Sequence, residues 1–314
     1  MKELSSPGRY LGFPAQVSRV KARAFSDLKS KFRAPICDWR EQPLSKAGRE
    51  VLIKSVLQAL PMYLMGMFLL SRSLCTDLER IMNRYWWGGG DSHSKIHWME
   101  WRKLATPKKM GGLGFRALHE FNLAMLGKQG WRLLTNPESL VAQLLKAKYY
   151  PRSDFLHVEL KPSCSFTWRS ICSATTLLRH GCRRLIGDGR SIDIWNDPWL
   201  PGHSQFFVQS PRPADCELRY VCDLIDADSH YWKHDLIRAI FNPHEAQLIL
   251  SMPLSWVRRD DGWTWQFTRH GSYSVRSGYH RAMAMGGSHA GLSPSSSSFR
   301  VVSFGILISL RRFA

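Results

Sequence analysis

The residues of this chain best suited to chemistry are its cations and its tryptophans. Lys21, Arg23, Lys29, Lys31 and Arg33, then Lys46, Arg49 and Lys54, fall on consecutive predicted helices, and Lys103, Lys108 and Lys109 follow a cluster of tryptophans. Cations spaced along helix faces suit phosphate contacts along a duplex without base readout, and an ordinary solvated face has the same spacing. Lys plus Arg number 44 against 25 Asp plus Glu, a net charge of +19 spread along 314 residues. Such an excess favours a polyanionic partner, because each phosphate that is neutralised releases condensed counterions. Nucleic acid is the first candidate and an anionic membrane surface the second.

The aromatic cluster lies in 84–115, where Trp86, Trp87, Trp98 and Trp101 accompany Gly88-Gly89-Gly90 and Gly111-Gly112-Leu113-Gly114-Phe115. Each ring must be buried or lie against something flat, such as a base. Trp98 and Trp101 stand three apart and predict one face of a short helix, so the spacing favours an aromatic joint between helical layers over a base-stacking platform. The second glycine run lacks the spacing of a phosphate-binding loop.

Other chemistry finds less support. Asp260-Asp261 precedes Gly262 at the mouth of a predicted hairpin, where turn chemistry accounts for it. Asp188, Asp193 and Asp197 fit turn and loop roles better than a carboxylate metal site. His93, His97, His119, His157 and His180 have no evident partner set, and no Gly-x-Ser-x-Gly elbow occurs. Seven cysteines are scattered without a Cys-x-x-Cys pair, and Cys216, Cys222, His230 and His234 miss finger spacing. They read as reduced thiols of an intracellular protein, nuclear or cytoplasmic, with no cofactor and no metal. No signal-peptide core or membrane span is evident; the longest apolar run, 56–70, is short and broken by Pro61.

Several elements would position these residues. The segment 5–14 reads as extended, because its prolines disfavour helix before them. An amphipathic basic helix covers 17–32 and Pro35 ends it. Ser45 caps the next helix, which meets Pro61, and the apolar run 62–70 should be the most buried part of the first half. A helix over 78–87, capped by Thr76 or Asp77, delivers the tryptophans. Further helices are predicted over 118–134, ending at Asn136-Pro137, over 139–149 with Leu140, Leu144 and Leu145 on one side, and from Phe166 toward Gly181. Two hairpins follow in prediction: 182–186 with 191–195 around Gly187-Asp188-Gly189-Arg190, and 262–267 with 272–276 around 268–271. Helical pieces lie between them, around 236–241 and 244–250. The Ser- and Gly-rich tail from Gly286 is predicted to be poorly ordered.

Taken in order, Tyr10-Leu11-Gly12-Phe13-Pro14, Trp39, 44–54, Trp86-Trp87-Gly88, Lys95-Ile96-His97-Trp98, Pro107-Lys108, 111–115 and Trp195-Asn196-Asp197-Pro198-Trp199-Leu200-Pro201 resemble plant LINE-type (non-LTR) retrotransposon polyproteins. The resemblance covers about 9–282 and matches the part that follows the reverse-transcriptase palm. Residues 271–279 resemble the start of the reverse-transcriptase zinc-binding domain. It implies a mainly α fold: a thumb-like helical bundle over 1–150, an α+β region with short β-hairpins over 151–284 leading into a truncated zinc-binding domain, and a disordered or misread tail over 285–314. It also implies contact with nucleic acid, RNA or an RNA–DNA hybrid held as primer–template duplex, and no membrane. The family's Tyr-Ala-Asp-Asp-like polymerase motif, its later Cys and His cluster and its RNase H region are absent, and the likeness stops after about Met285. The expectation is therefore a non-catalytic, non-enzymatic segment with no family catalytic residue. The other reading is an interaction protein or decayed gene product with no selected activity; the two differ in whether binding falls with added salt.

Overall fold

The structure is a computed structural model. It describes residues 9–10, 13–14, 21–88, 96–202, 206–213, 216–227, 229–254 and 259–287, with the backbone alone for 9–10, 13–14, 21–27, 40 and 287. Two short strands, β1 (Arg9–Tyr10) and β2 (Phe13–Pro14), pair antiparallel in the segment that the prolines mark as extended. Helix α1 (Lys21–Arg40) runs through Pro35, where the sequence predicts its end. A proline inside a helix removes one backbone bond. Here the apolar stripe continues past it, since Leu28, Phe32 and Ile36 are all buried in the first core.

Helix α2 (Lys46–Leu52) begins where Ser45 accepts the Gly48 N–H and continues into a wider turn, Ile53–Leu57. Helix α3 (Met62–Met65) follows Pro61. In the run 62–70, Leu64, Met65 and Leu70 are fully buried. Helix α4 (Arg72–Trp87) starts six residues earlier than predicted, because the Ser71 hydroxyl accepts the Leu74 N–H. Gly88, at φ 77°, ends it. Helix α5 (Trp101–Leu104) is one turn. Trp98 precedes it and is 75% exposed while Trp101 is 7% exposed, so the two do not share a helix face.

Helix α6 (Leu118–Thr135) is the axis of the molecule, packed by α3, α4, and the later α8, α9 and α12. Its Asn122 is fully buried and meets three backbone groups of 65–70: the side-chain amide donates to the Met65 and Phe68 carbonyls and its oxygen accepts the Leu70 N–H at 2.7 Å. A buried amide is tolerated only when satisfied in this way. Helix α7 (Leu140–Tyr149) is capped by Ser139, but it buries Ala142 while Leu140 and Leu144 are exposed, contrary to the predicted apolar side. Helices α8 (Phe166–Cys172) and α9 (Thr175–Arg179) follow.

Strand β3 (Cys182–Leu185) does not form the predicted local hairpin. After α10 (His234–Ile240) and α11 (Pro243–Ser251), it pairs antiparallel with β4 (Gly262–Trp265), register Cys182 to Trp265 and Leu185 to Gly262. The turn signal itself is genuine: Gly189 has φ 71°. Residues after the turn instead bond to 219–221, through Ile194 N–H to Arg219 carbonyl and Val221 N–H to Ile192 carbonyl at 2.9 Å, because Ile192 and Ile194 enter a separate core. Asp261 holds the turn from across the sheet, accepting the N–H groups of Gly187, Gly189 and Ser191 and the Ser191 hydroxyl. Burial works against that carboxylate, yet these donors together hold its pKa below the usual value.

The second predicted hairpin is also absent. After β4 the Trp265 N–H donates to the Gly271 carbonyl, and the Ser274 hydroxyl accepts the Ser277 N–H to open α12 (Val275–Gly287). Residues 272–276 thus cap and enter a helix that packs along α6. Gly130 of α6 admits Leu178 and Phe155, and Gly127 admits Tyr273, whose hydroxyl donates to the Ala124 carbonyl. The chain is mainly α with short antiparallel pairings. The tail beyond Gly287 lies outside the described residues.

Candidate nucleic-acid interface

Helix α2 presents Lys46, Arg49 and Glu50 from one capped turn. Lys46 Nζ donates to the Trp86 carbonyl at 2.8 Å and stands 4.8 Å and 5.0 Å from the ring centroids of Trp86 and Trp87. A cation there complements the carbonyl end of α4. The Arg49 guanidinium lies over Gly88, close enough that a Cβ on Gly88 would stand 2.7 Å from it. Glu50 receives Lys108 at 2.8 Å and Lys54 at 2.7 Å. Hydrogen bonds from Lys108 and then Lys54 hold its carboxyl below the usual range. Lys54 also donates to the Leu113 carbonyl at 2.8 Å.

These contacts close an aromatic joint. Phe115 stacks on Trp101 at 5.0 Å and meets Trp86 edge-on at 5.5 Å, and the Trp101 indole N–H donates to the Arg116 carbonyl. Gly111 and Gly114 take positive φ, and Gly112 is packed against Thr106, so the glycine run serves a tight turn.

The predicted cations therefore divide. Lys29 is tied to Asp77 at 2.6 Å, joining α1 to α4, and Lys46, Lys54 and Lys108 are committed as described. Lys31 has a contact within the protein. Arg33, Lys103 and Lys109 are exposed and form no ion pair among the described residues. Lys21 and Arg23 lie on α1, with side chains outside the described residues. The sequence reading missed Glu50, which gathers two of the lysines; its spacing of four from Lys54 was the available signal.

The carboxylates hold loops. Asp193 accepts the Trp195 and Asn196 N–H groups, and Asp197 accepts that of Asp193. His157 meets Asp154 at 2.9 Å, a local pair within one turn. His93 lies outside the described residues. Among the described residues, no three His, Cys, Asp or Glu side chains converge on a metal position, the cysteines are free thiols, and no helix is long and apolar enough to cross a membrane. A groove of about 510 Å³ between α6, α7 and α8 is lined mainly by apolar groups, including Met67, Leu133, Leu140 and Ile171.

No protein-family model matches the chain. The chain belongs to the family of an uncharacterized mitochondrial protein of Arabidopsis thaliana, to which it is 41% identical over 143 residues, 45% of this chain and 93% of that protein. A second Arabidopsis thaliana relative, named "Putative ribonuclease H protein", is 32% identical over 271 residues, 85% of this chain and 44% of the relative. The chain thus spans less than half the length of that relative. This likeness corrects the expectation of a non-enzymatic segment without a ribonuclease H region: most of the chain aligns with a protein named for that enzyme.

Proposed function

We propose that this chain is the segment of a plant LINE-type retroelement protein that follows the polymerase palm, and that it holds an RNA–DNA hybrid through the basic face of its first helices. The bundle over 1–150 supplies the phosphate contacts, and 151–284 leads toward a zinc-binding region. The observation that carries this reading is the alignment, along 85% of the chain, with a relative named for ribonuclease H, an activity directed at RNA paired with DNA. The net charge of +19 supports it, as do the exposed Arg33, Lys103 and Lys109, which form no ion pair among the described residues. Lys29, Lys46, Lys54 and Lys108 brace the bundle that carries them.

The test is titration of a labelled RNA–DNA hybrid with the purified chain across a salt series. The reading expects log affinity to fall linearly with log salt, at about 0.9 per phosphate contacted. Binding that ignores salt, or a folded chain that does not bind, overturns it.

A further inference from the structure

We propose that Trp98 is a stacking site for an unpaired nucleotide of single-stranded RNA or DNA, with Lys103 and Lys109 taking the adjoining phosphates. This deepens the proposed function and rests on its placing of nucleic acid against the first half of the chain. Trp86 and Trp101 are buried in the joint at 8% and 7% exposure, whereas Trp98 remains 75% exposed. Two other apolar side chains of the same segment, Ile96 and Met110, are likewise 71% and 76% exposed. Met99 turns inward to the core, and the Glu100 backbone carbonyl accepts the Lys103 and Leu104 N–H groups, so the chain is anchored immediately after the exposed ring.

Charge selects the occupant. Within 96–116 one acidic residue, Glu100, stands against Arg102, Lys103, Lys108, Lys109 and Arg116. Arg102 faces Glu120, Lys108 faces Glu50 and Arg116 lies over the Phe121 ring, which leaves Lys103 and Lys109 without a partner of either kind among the described residues. Leu113 N–H donates to the Leu104 carbonyl and Gly114 N–H to the Thr106 carbonyl, folding the 108–110 turn back on the end of α5. An exposed indole in a short segment that also carries these two ammonium groups matches a ligand with a flat π face and a phosphate at each step. An apolar protein surface would leave those charges facing no anion. In a paired duplex the base faces are stacked on one another, so the site selects unpaired nucleotides.

The experiment compares the full chain with Trp98→Ala and Trp98→Tyr in anisotropy titrations of labelled oligo(U), oligo(dT) and a blunt RNA–DNA hybrid, each of about twelve units. Circular dichroism first establishes that the variants fold. Trp98→Ala is expected to weaken both single strands about fivefold or more and the hybrid less than about twofold, and Trp98→Tyr to retain most of the affinity. A loss for oligo(U) alone or oligo(dT) alone supports the site and identifies its strand. Unchanged single-strand affinity in Trp98→Ala, or equal loss on single strand and hybrid, overturns the stacking site while leaving the basic-face reading standing. Salt-insensitive binding that still depends on Trp98 overturns both the basic-face reading and the phosphate roles of Lys103 and Lys109, and leaves only the stacking role of the ring. Vesicles with anionic lipid serve as the other arm: dependence on Trp98 there, with oligonucleotide binding intact, overturns the proposal in favour of a membrane surface.

Discussion

Replacing Lys103 and Lys109 together by alanine tests whether unpaired cations carry the binding. Both side chains are exposed and face no carboxylate among the described residues, so neither contributes an internal ion pair. If each neutralises one phosphate, the slope of log affinity against log salt falls by about 1.8 for a duplex. Wild type then loses about twelvefold more affinity than the variant as salt rises from about 50 to about 200 mM. The control is Lys29→Ala with Lys54→Ala, which removes the same formal charge from lysines already paired with Asp77 and Glu50. The control is expected to change the slope by less than about 0.5 and to lower thermal stability instead, by up to about 1 kcal/mol per surface pair. The assay is anisotropy of a labelled RNA–DNA hybrid in a salt series, beside thermal melts. A slope unchanged in the first variant and reduced in the second would refute the division between free and committed lysines.

Other perturbations reach the framework. Asp261→Ala strips the carboxylate from four donors of the 187–191 turn, with a cost of about 3 kcal/mol in urea unfolding; a loss below about 1 kcal/mol would mean water replaces it freely. Because its folded pKa is depressed, that stabilisation is present above the unfolded value and disappears as pH falls through the folded one. Glu79, which accepts the Leu118 N–H at 2.7 Å, is the opposite case: burial pushes its carboxyl up to about 7. The folded chain holds that proton more tightly than the unfolded one, so stability should fall by about 2 to 3 kcal/mol as pH rises from 4.5 to about 7. Glu79→Gln should flatten this portion of the curve, and an unaltered pH profile would exclude Glu79 as its source. Gly130→Ala places a Cβ 2.7 Å from Leu178 and 2.8 Å from Phe155, so overpacking should outweigh the gain in helix propensity, with net destabilisation of about 1 to 2 kcal/mol; a more stable variant would show that those side chains yield.

Local signals were readable where one residue satisfies one backbone group. Ser45, Ser139 and Gly88 set helix ends from sequence alone, because a capping hydroxyl or a residue without Cβ acts within a few positions of itself. The length of α6 and its stop at Asn136 follow from the same kind of punctuation. Ser71 and Ser274 carried the same signal, obscured by nearer polar candidates at Thr76 and Asp77 and by the alternation that suggested a strand over 272–276. Pro35 was misread because a proline's local cost is smaller than the apolar contacts of Leu28, Phe32 and Ile36 on either side of it.

The sequence by itself determined a basic, mainly helical chain with its caps, breaks and aromatic cluster, since charge, periodicity and turn chemistry are properties of neighbouring residues. Tertiary structure decided which strands pair and which cations are free. Strand β3 passes over the adjacent 191–195 for a partner that ends 80 residues further on, because Cys182 and Trp265 are buried together in one core while Ile192 and Ile194 belong to another. Lys54 and Lys108 look like interchangeable surface lysines until Glu50 binds both. Likewise Trp98 and Trp101 differ by three positions and by everything that packs around them, for burial depends on which residues the rest of the chain brings to each ring.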